Sequence, residues 1–187
     1  MPCVILIHGA IGSGKTSTCL RLMEKAPEVG IATDGIVSIR IYREEELVGY
    51  DCLDASSGDK FPLVRLKGEQ KGKGWFEFGE LKYTFSSEGF ARANDILDRA
   101  AKQSDDNTVI FVDEFGRLEK AELGLYSGAR KVAENLHRGF LAVYSCRDDL
   151  TGSVEGLIKR YAGEVYWFEP KEFESIWSTI RRCLNNS

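Results

Sequence analysis

The sequence predicts an α/β fold in which a mostly parallel central sheet lies between helical layers, with an antiparallel, strand-rich insertion over about residues 31–85. Two observations carry this prediction. Short apolar runs at 3–8, 108–112, 140–145 and 165–168 have the composition of strands buried on both faces. Between and after them lie segments of helical periodicity, and such alternation closes into parallel pairs through right-handed crossovers. With 187 residues, the whole chain 1–187 is expected to form one domain with a full-sized core.

The elements follow in order. Cys3–His8 reads as a strand and Thr16–Lys25 as a helix ended by Pro27. Ile36–Tyr42 and Leu47–Leu53 read as a hairpin joined by the charged turn Arg43–Glu46. Shorter strands are expected at Phe61–Leu66, Trp75–Phe78 and Lys82–Phe85, making a mostly antiparallel layer. Helical periodicity returns with Phe90, Ala93, Leu97 and Ala100, widened by Ile96 and Ala101, behind Ser86 or Ser87 as N-cap. Thr108–Val112 is the next buried strand. Ala129, Val132, Ala133 and Leu136 mark a helix capped by Ser127 and stopped at Gly139. Phe140–Ser145 is a strand, and Val154, Leu157, Ile158 and Tyr161 form a helical face that stops at Gly163. Val165–Phe168 is the last strand, and Pro170 opens a helix with the stripe Phe173, Ile176, Trp177, Ile180 and Leu184.

Composition narrows the function. Hydrophobic residues make up 43% and charged residues 29%, ordinary globular values that exclude disorder and low complexity. No apolar run approaches the ~18 residues of a membrane span, and the N-terminal run is too short, and lacks the basic leader, for a signal peptide. Net charge is −4, so no dedicated nucleic-acid surface is expected. The five cysteines are scattered, with no Cys-x-x-Cys, as in a reduced cytoplasmic protein. A monomer or weak oligomer is expected.

The chemistry begins at Gly9-Ala10-Ile11-Gly12-Ser13-Gly14-Lys15-Thr16, which fits G-x-x-x-x-G-K-[ST] at every fixed position, between an apolar strand and a helix. A loop of this length curls round a phosphate with its N–H groups pointing inward, and glycines permit the close approach. The following helix, from Lys15 through Thr16 and Ser17, aims its positive dipole end at the same phosphates. Lys15 is expected on the β- and γ-phosphates and the Thr16 hydroxyl on Mg²⁺. The motif in this context makes the expected fold a P-loop NTPase three-layer sandwich.

Val109-Ile110-Phe111-Val112-Asp113-Glu114 is the partner element, expected as a strand beside the first one with an acidic pair at its carboxyl end, where ligands of open α/β sheets bind. Asp113 is expected to hold Mg²⁺ through water. Glu114, directly after it, is placed to polarise an attacking water, which points to hydrolysis. Phosphoryl transfer also needs a cation on the developing charge. Arg147, just past the third buried strand, is the candidate; Arg40, Arg117 and Arg160 read rather as solvated arginines. His8 reads as a packed, hydrogen-bonded histidine and His137 as a helix C-terminal dipole partner. Trp75, Trp167 and Trp177 read as packing residues, and Lys67–Gly74 as a solvated loop rather than a cover for nucleotide.

These residues resemble the THEP-type nucleoside-triphosphatase family, P-loop enzymes that hydrolyse several nucleoside triphosphates. The phosphate loop sits at the N-terminus. Asp34-Gly35-Ile36 with Arg40-Ile41-Tyr42, then Val48-Gly49-Tyr50-Asp51, resembles the family's glycine-centred hairpin. Gly79-Glu80-Leu81-Lys82-Tyr83 resembles its Gly-Lys-Tyr segment, with Glu80-Leu81 inserted, and Asp113-Glu114-Phe115-Gly116-Arg117-Leu118-Glu119 its Asp-Glu-Ile-Gly-Lys-Met-Glu signature. Order and spacing agree over about residues 3–168. Tyr144-Ser145-Cys146-Arg147 departs from the family's Gly-Thr-Val run.

The leading reading is a Mg²⁺-dependent triphosphatase that releases the γ-phosphate of ATP, GTP and other nucleoside triphosphates, with Lys15, Glu114 and Arg147 as catalytic groups. A small-molecule kinase with the same loop is one alternative, although no arginine-rich lid is present. A nucleotide-dependent binding or assembly module with little turnover is another, although the guanine-reading string Asn-Lys-x-Asp is absent.

Overall fold

The computed structural model describes residues 1–70 and 73–185. The chain runs β1 (Cys3–His8), α1 (Lys15–Lys25), β2 (Ala32–Arg43), β3 (Glu46–Asp54), β4 (Lys60–Leu66), β5 (Trp75–Glu77), β6 (Tyr83–Ser86) and α2 (Ser87–Gln103). It continues through β7 (Thr108–Phe115), α3 (Arg117–Lys120), α4 (Tyr126–Glu134), β8 (Leu141–Cys146), α5 (Thr151–Ile158), β9 (Glu164–Phe168) and α6 (Phe173–Asn185). The strands join in one sheet of order β5-β6-β4-β3-β2-β7-β8-β1-β9. From β2 to β9 neighbouring strands are parallel; from β2 to β5 they are antiparallel. This is the α/β architecture expected, and the antiparallel strands prolong one edge of the same sheet.

β2 belongs to both halves. Ala32–Ile36 pair in parallel with Thr108–Val112 of β7, and Ile36–Arg43 pair antiparallel with β3. Gly35 therefore lies in the parallel segment, not in a hairpin turn. It has φ +90, and a Cβ there would collide with the backbone of Phe111 across the pair. The hairpin turn is made by Glu44 and Glu45, both at positive φ (47 and 67), which matches the twist of the flanking strands.

Period-two alternation divides the core into two layers. Val4, Leu6, Ile110, Val112, Ala142 and Tyr144 face α2, α4 and α5. Ile5, Ile7, Val109, Phe111, Leu141 and Val143 face α1 and α6. Ser86 caps α2, its hydroxyl accepting from the Gly89 N–H at 3.0 Å. Ser127 does not cap α4, because the helix begins one residue earlier. Its first N–H groups are met instead by distant side chains: Glu119 Oε1 accepts from Leu125 and Asn94 Oδ1 from Gly128. Tyr161 falls beyond α5 and is exposed rather than packed on the helical face. Of the Lys67–Gly74 stretch, Lys71 and Gly72 lie outside the described residues; Lys67 pairs with Glu77 at 2.8 Å and Glu69 with Arg43. Among the described residues no helix is long and apolar enough to cross a membrane.

Candidate active site

The site forms at the carboxyl ends of β1, β7 and β8. After β1 the chain turns through residues 9–14, with Gly12 and Gly14 in left-handed conformations (φ +79 and +100). At Gly9 a Cβ would stand 2.6 Å from Ser13 Oγ, so a side chain there would displace the loop. Gly14 is the N-cap of α1 and offers no side-chain acceptor, so no N-cap side chain occupies the first-turn N–H groups of Lys15, Thr16 and Ser17. Lys15 is buried, its Nζ donating to the carbonyl oxygens of Gly9 (2.9 Å) and Ala10 (3.0 Å) across the loop.

β7 does not lie beside β1, as its apolar run suggests; β8 stands between them. The acidic pair still reaches the loop, because Thr16 Oγ1 donates to Asp113 Oδ2 at 2.9 Å. The same oxygen accepts from the Ser38 N–H at 3.1 Å, and Ser145 Oγ donates to Oδ1. Asp113 is fully buried. Burial pushes its carboxyl up, while the hydrogen bonds from Ser145, Ser38 and Thr16 oppose the shift.

The strand pairing then breaks. Val112 pairs with Tyr144 and Phe115 with Cys146, so β7 spends one more residue than β8 over this interval. That is a β-bulge, and bulges re-aim side chains beside active sites. Within it Glu114 has φ +64, a strained conformation for a residue with a Cβ. Its N–H is held by Ser145 Oγ at 3.0 Å. Burial first, and then the adjacent Asp113, push the Glu114 carboxyl up to about 7, with Lys15 and Arg40 pulling the other way.

Two cavities meet here, of about 350 and 290 Å³. The smaller follows the loop and the first turn of α1, past Gly12, Gly14, Thr16 and Ser17. The larger opens toward the antiparallel strands. Lys15, Arg40 and Glu114 line both. Arg40, read from sequence as a solvated arginine, thus belongs to the site, and its Nε is buried with no hydrogen-bond partner among the described residues. Arg147 and Arg117 line the larger cavity only, Arg147 pairing with Asp149 at 2.6 Å. Ile11 lines the larger cavity too. Arg160 lines neither cavity.

The histidines are hydrogen-bonded as expected, and of the three tryptophans Trp167 is exposed on β9 rather than packed away. His8 Nδ1 meets Asp148 at 2.8 Å and its ring stands edge-on to Trp167; His137 Nδ1 meets the Glu134 carbonyl at 3.2 Å near the end of α4. Trp177 is buried on the inner face of α6, and Trp75 lies half-buried on the edge strand β5.

Ser38, Ser145 and the aromatic wall of the larger cavity escaped the sequence reading. For Ser145 a signal exists: a hydroxyl at the end of an otherwise apolar buried strand. Glu119, the last acid of the signature, is 4% exposed and binds backbone, accepting from the N–H groups of Gly116 and Leu125 at 2.8 Å each. It ties the turn after β7 to the start of α4.

A phosphate loop between strand and helix, in a sheet of this order, defines a P-loop nucleoside triphosphatase. A family model described as NTPase matches residues 4–181, and the chain belongs to that family. It is 25% identical over 184 residues to the nucleoside-triphosphatase THEP1 of Pyrobaculum calidifontis, covering 98% of this chain and 94% of the relative. It is 27% identical over 136 residues to the nucleoside-triphosphatase THEP1 of Methanopyrus kandleri, covering 72% and 69%. The fold is that of a human cancer-related nucleoside triphosphatase, with a TM-score of 0.73 and 21% identity over 97% of this chain and 98% of that one. The THEP1 of Aquifex aeolicus gives a TM-score of 0.69 and 21% identity over 96% and 99%.

Proposed function

We propose that this nucleoside triphosphatase is Mg²⁺-dependent, accepts ATP, GTP and other nucleoside triphosphates, and uses Glu114 to activate water. The observation that carries the reading is the shared wall: Lys15, Arg40 and Glu114 each border both the loop cavity and the larger one. An acid, a cation and the loop lysine thus flank the place where the γ-phosphate of a loop-bound nucleotide would project.

The loop N–H groups from Gly9 to Ser17 bind the phosphates. Lys15, which donates to two neutral carbonyls, exchanges them for phosphate oxygens, with which its hydrogen bonds are stronger. Glu114 accepts a proton from water as the oxygen attacks in line; the new O–P bond forms as the β–γ bridge breaks, giving diphosphate nucleotide and inorganic phosphate. Arg40 supplies donors to the developing charge, with Arg147 as a second cation. The donor set at Thr16 and Asp113 is hard oxygen, one hydroxyl and one carboxylate in mutual contact, and these two residues would hold Mg²⁺. The chemistry supplied by Mg²⁺ held there would be neutralisation of charge on the phosphate oxygens. The bonds that Asp113 accepts from Thr16, Ser38 and Ser145 fix its carboxylate in this arrangement.

The protein is read as cytoplasmic, acting on free nucleotides as a monomer or weak oligomer. Phosphate release measured with ATP, GTP, CTP and UTP, with and without Mg²⁺, tests the reading. Turnover of all four that needs Mg²⁺ is expected. Turnover independent of Mg²⁺, or a preference above ~1000-fold for one base, equivalent to ~4 kcal/mol, would overturn the corresponding part.

A further inference from the structure

The larger cavity exceeds what hydrolysis requires. One water needs ~10–15 Å³ of such space, whereas this cavity measures about 350 Å³, the size of a small-molecule site. Lys15, Arg40, Glu114, Arg117, Glu119 and Arg147 bring charge to it, and the rest of its wall is mainly apolar and aromatic, with Leu63, Val64, Phe85, Phe90, Phe115 and Leu125. Tyr50 and Tyr83, edge to face with ring centroids 6.2 Å apart, complete it. Most of this wall comes from β3, β4 and β6, the strands that the phosphate loop does not need. Lys15, Arg40 and Glu114, which it shares with the loop cavity, mark the side where the γ-phosphate would project, so a ligand with a polar reacting group and an apolar, aromatic remainder matches the lining. Glu114 on that side accepts a hydrogen bond, so the matching group on the ligand is a donor.

We propose that this cavity binds a second substrate, a largely apolar aromatic small molecule carrying an alcohol hydroxyl, and that the enzyme transfers the γ-phosphoryl group to that hydroxyl. The proposal rests on the placement of the nucleotide in the loop and of Glu114 at the reacting end. The acceptor oxygen takes the place of water. Its bond to the γ-phosphorus forms as the bond from that phosphorus to the β–γ bridging oxygen breaks. The hydroxyl proton passes to the Glu114 carboxylate, and the electron pair leaves on the diphosphate nucleotide. The product phosphomonoester carries its charge on the side of Lys15 and Arg40, and its apolar part among the aromatic residues.

The protein with ATP and Mg²⁺ is incubated with 2-phenylethanol, tyrosol or tryptophol, with ethanol as the apolar-poor control, and products are followed by ³¹P NMR. A phosphomonoester signal is expected, with an ester-to-phosphate ratio about tenfold or more above that of ethanol at equal concentration, since apolar contacts of this size discriminate by at least that factor. Leu63→Trp, which fills the cavity, should lower the ratio. The ratio is internal to each reaction and independent of the fraction folded; Tyr83→Trp repeats the test at a less buried position. Phosphate release with no ester above the ethanol level overturns the proposal and leaves the hydrolase reading standing. Neither ester nor phosphate removes both. Ester without phosphate release in alcohol-free buffer supports the proposal and overturns hydrolysis.

Discussion

The Ser145 hydroxyl donates to Asp113 Oδ1 and accepts the backbone N–H of Glu114, so one side chain on β8 holds both acids of the pair on β7. Its position opposite the bulge makes this possible: where β7 carries an extra residue, the ladder leaves an N–H that a backbone carbonyl does not reach, and a hydroxyl fills the place.

Ser145→Ala should therefore leave a buried carboxylate oxygen and a backbone N–H short of partners. A loss of about 1–3 kcal/mol in urea unfolding is expected. Activity should fall by about 10–100-fold, as when an outer partner of a metal-site ligand is removed. Steady-state phosphate release alongside denaturant titration checks both.

Glu114 carries opposing demands. Glu114→Gln should retain nucleotide binding and lose about 10²- to 10⁴-fold in kcat, the usual contribution of a general base. Glu114→Gly removes the base and also relieves the positive φ, so it should unfold at the same or higher denaturant, gaining up to about 1 kcal/mol, while remaining inactive. Wild-type turnover in the glutamine variant would assign water activation elsewhere.

The two arginines can be ranked. Arg40 borders both cavities and its Nε has no hydrogen-bond partner among the described residues, whereas Arg147 borders one and is paired with Asp149. Arg40→Ala should lower kcat by about 10²- to 10³-fold, as for loss of a transition-state donor, and Arg147→Ala by less. Single-turnover hydrolysis at saturating nucleotide separates this from weaker binding. A larger effect at Arg147 would reverse the ranking.

Arg99 joins α2 to the start of the antiparallel strands through Asp34 (2.9 Å) and Asp54 (3.3 Å). Burial pushes the Asp54 carboxyl up, but bonds from Ser56 and Arg99 outweigh it and hold the group below its ordinary 3.8. A lowered folded pKa means that the stabilisation is complete above the ordinary value and is lost as pH falls through the folded one. Arg99→Met should cost about 1–3 kcal/mol near neutral pH. Below about pH 4 the gap between variant and wild type should narrow, as Asp54 protonates in both. Urea midpoints across this range provide the measurement.

The phosphate loop, the acidic pair and the alternation of buried strands and helices were all legible as local patterns, because each depends on residues close in sequence. The misplacements come from long-range pairing. Nothing local to Thr108–Val112 says that β8 rather than β1 is its neighbour on one side. Arg40 looks solvated beside Tyr42 and Arg43, and it reaches the site only because β2 lies next to β7. The caps of α4 come from Glu119 and Asn94, residues of other segments that satisfy its N–H groups better than the nearby Ser127. The larger cavity is assembled from β3, β4, β6, α2 and α3, and no single stretch announces it.

β2 changes partners midway while remaining one uninterrupted strand. Ser38, which fixes Asp113 through its N–H, and Arg40, which borders both cavities, stand two residues apart on it. Their separation along the chain is therefore the rise of two strand residues, about 6.7 Å, a length no loop sets. The strand acts as a ruler between the anchor of the acidic pair and the cation. Lengthening the turn at Glu44 and Glu45, or the connections between the later antiparallel strands, leaves that gauge unchanged. The outer part of the sheet is thus free to diversify in sequence and length while the spacing of the phosphate chemistry stays constant.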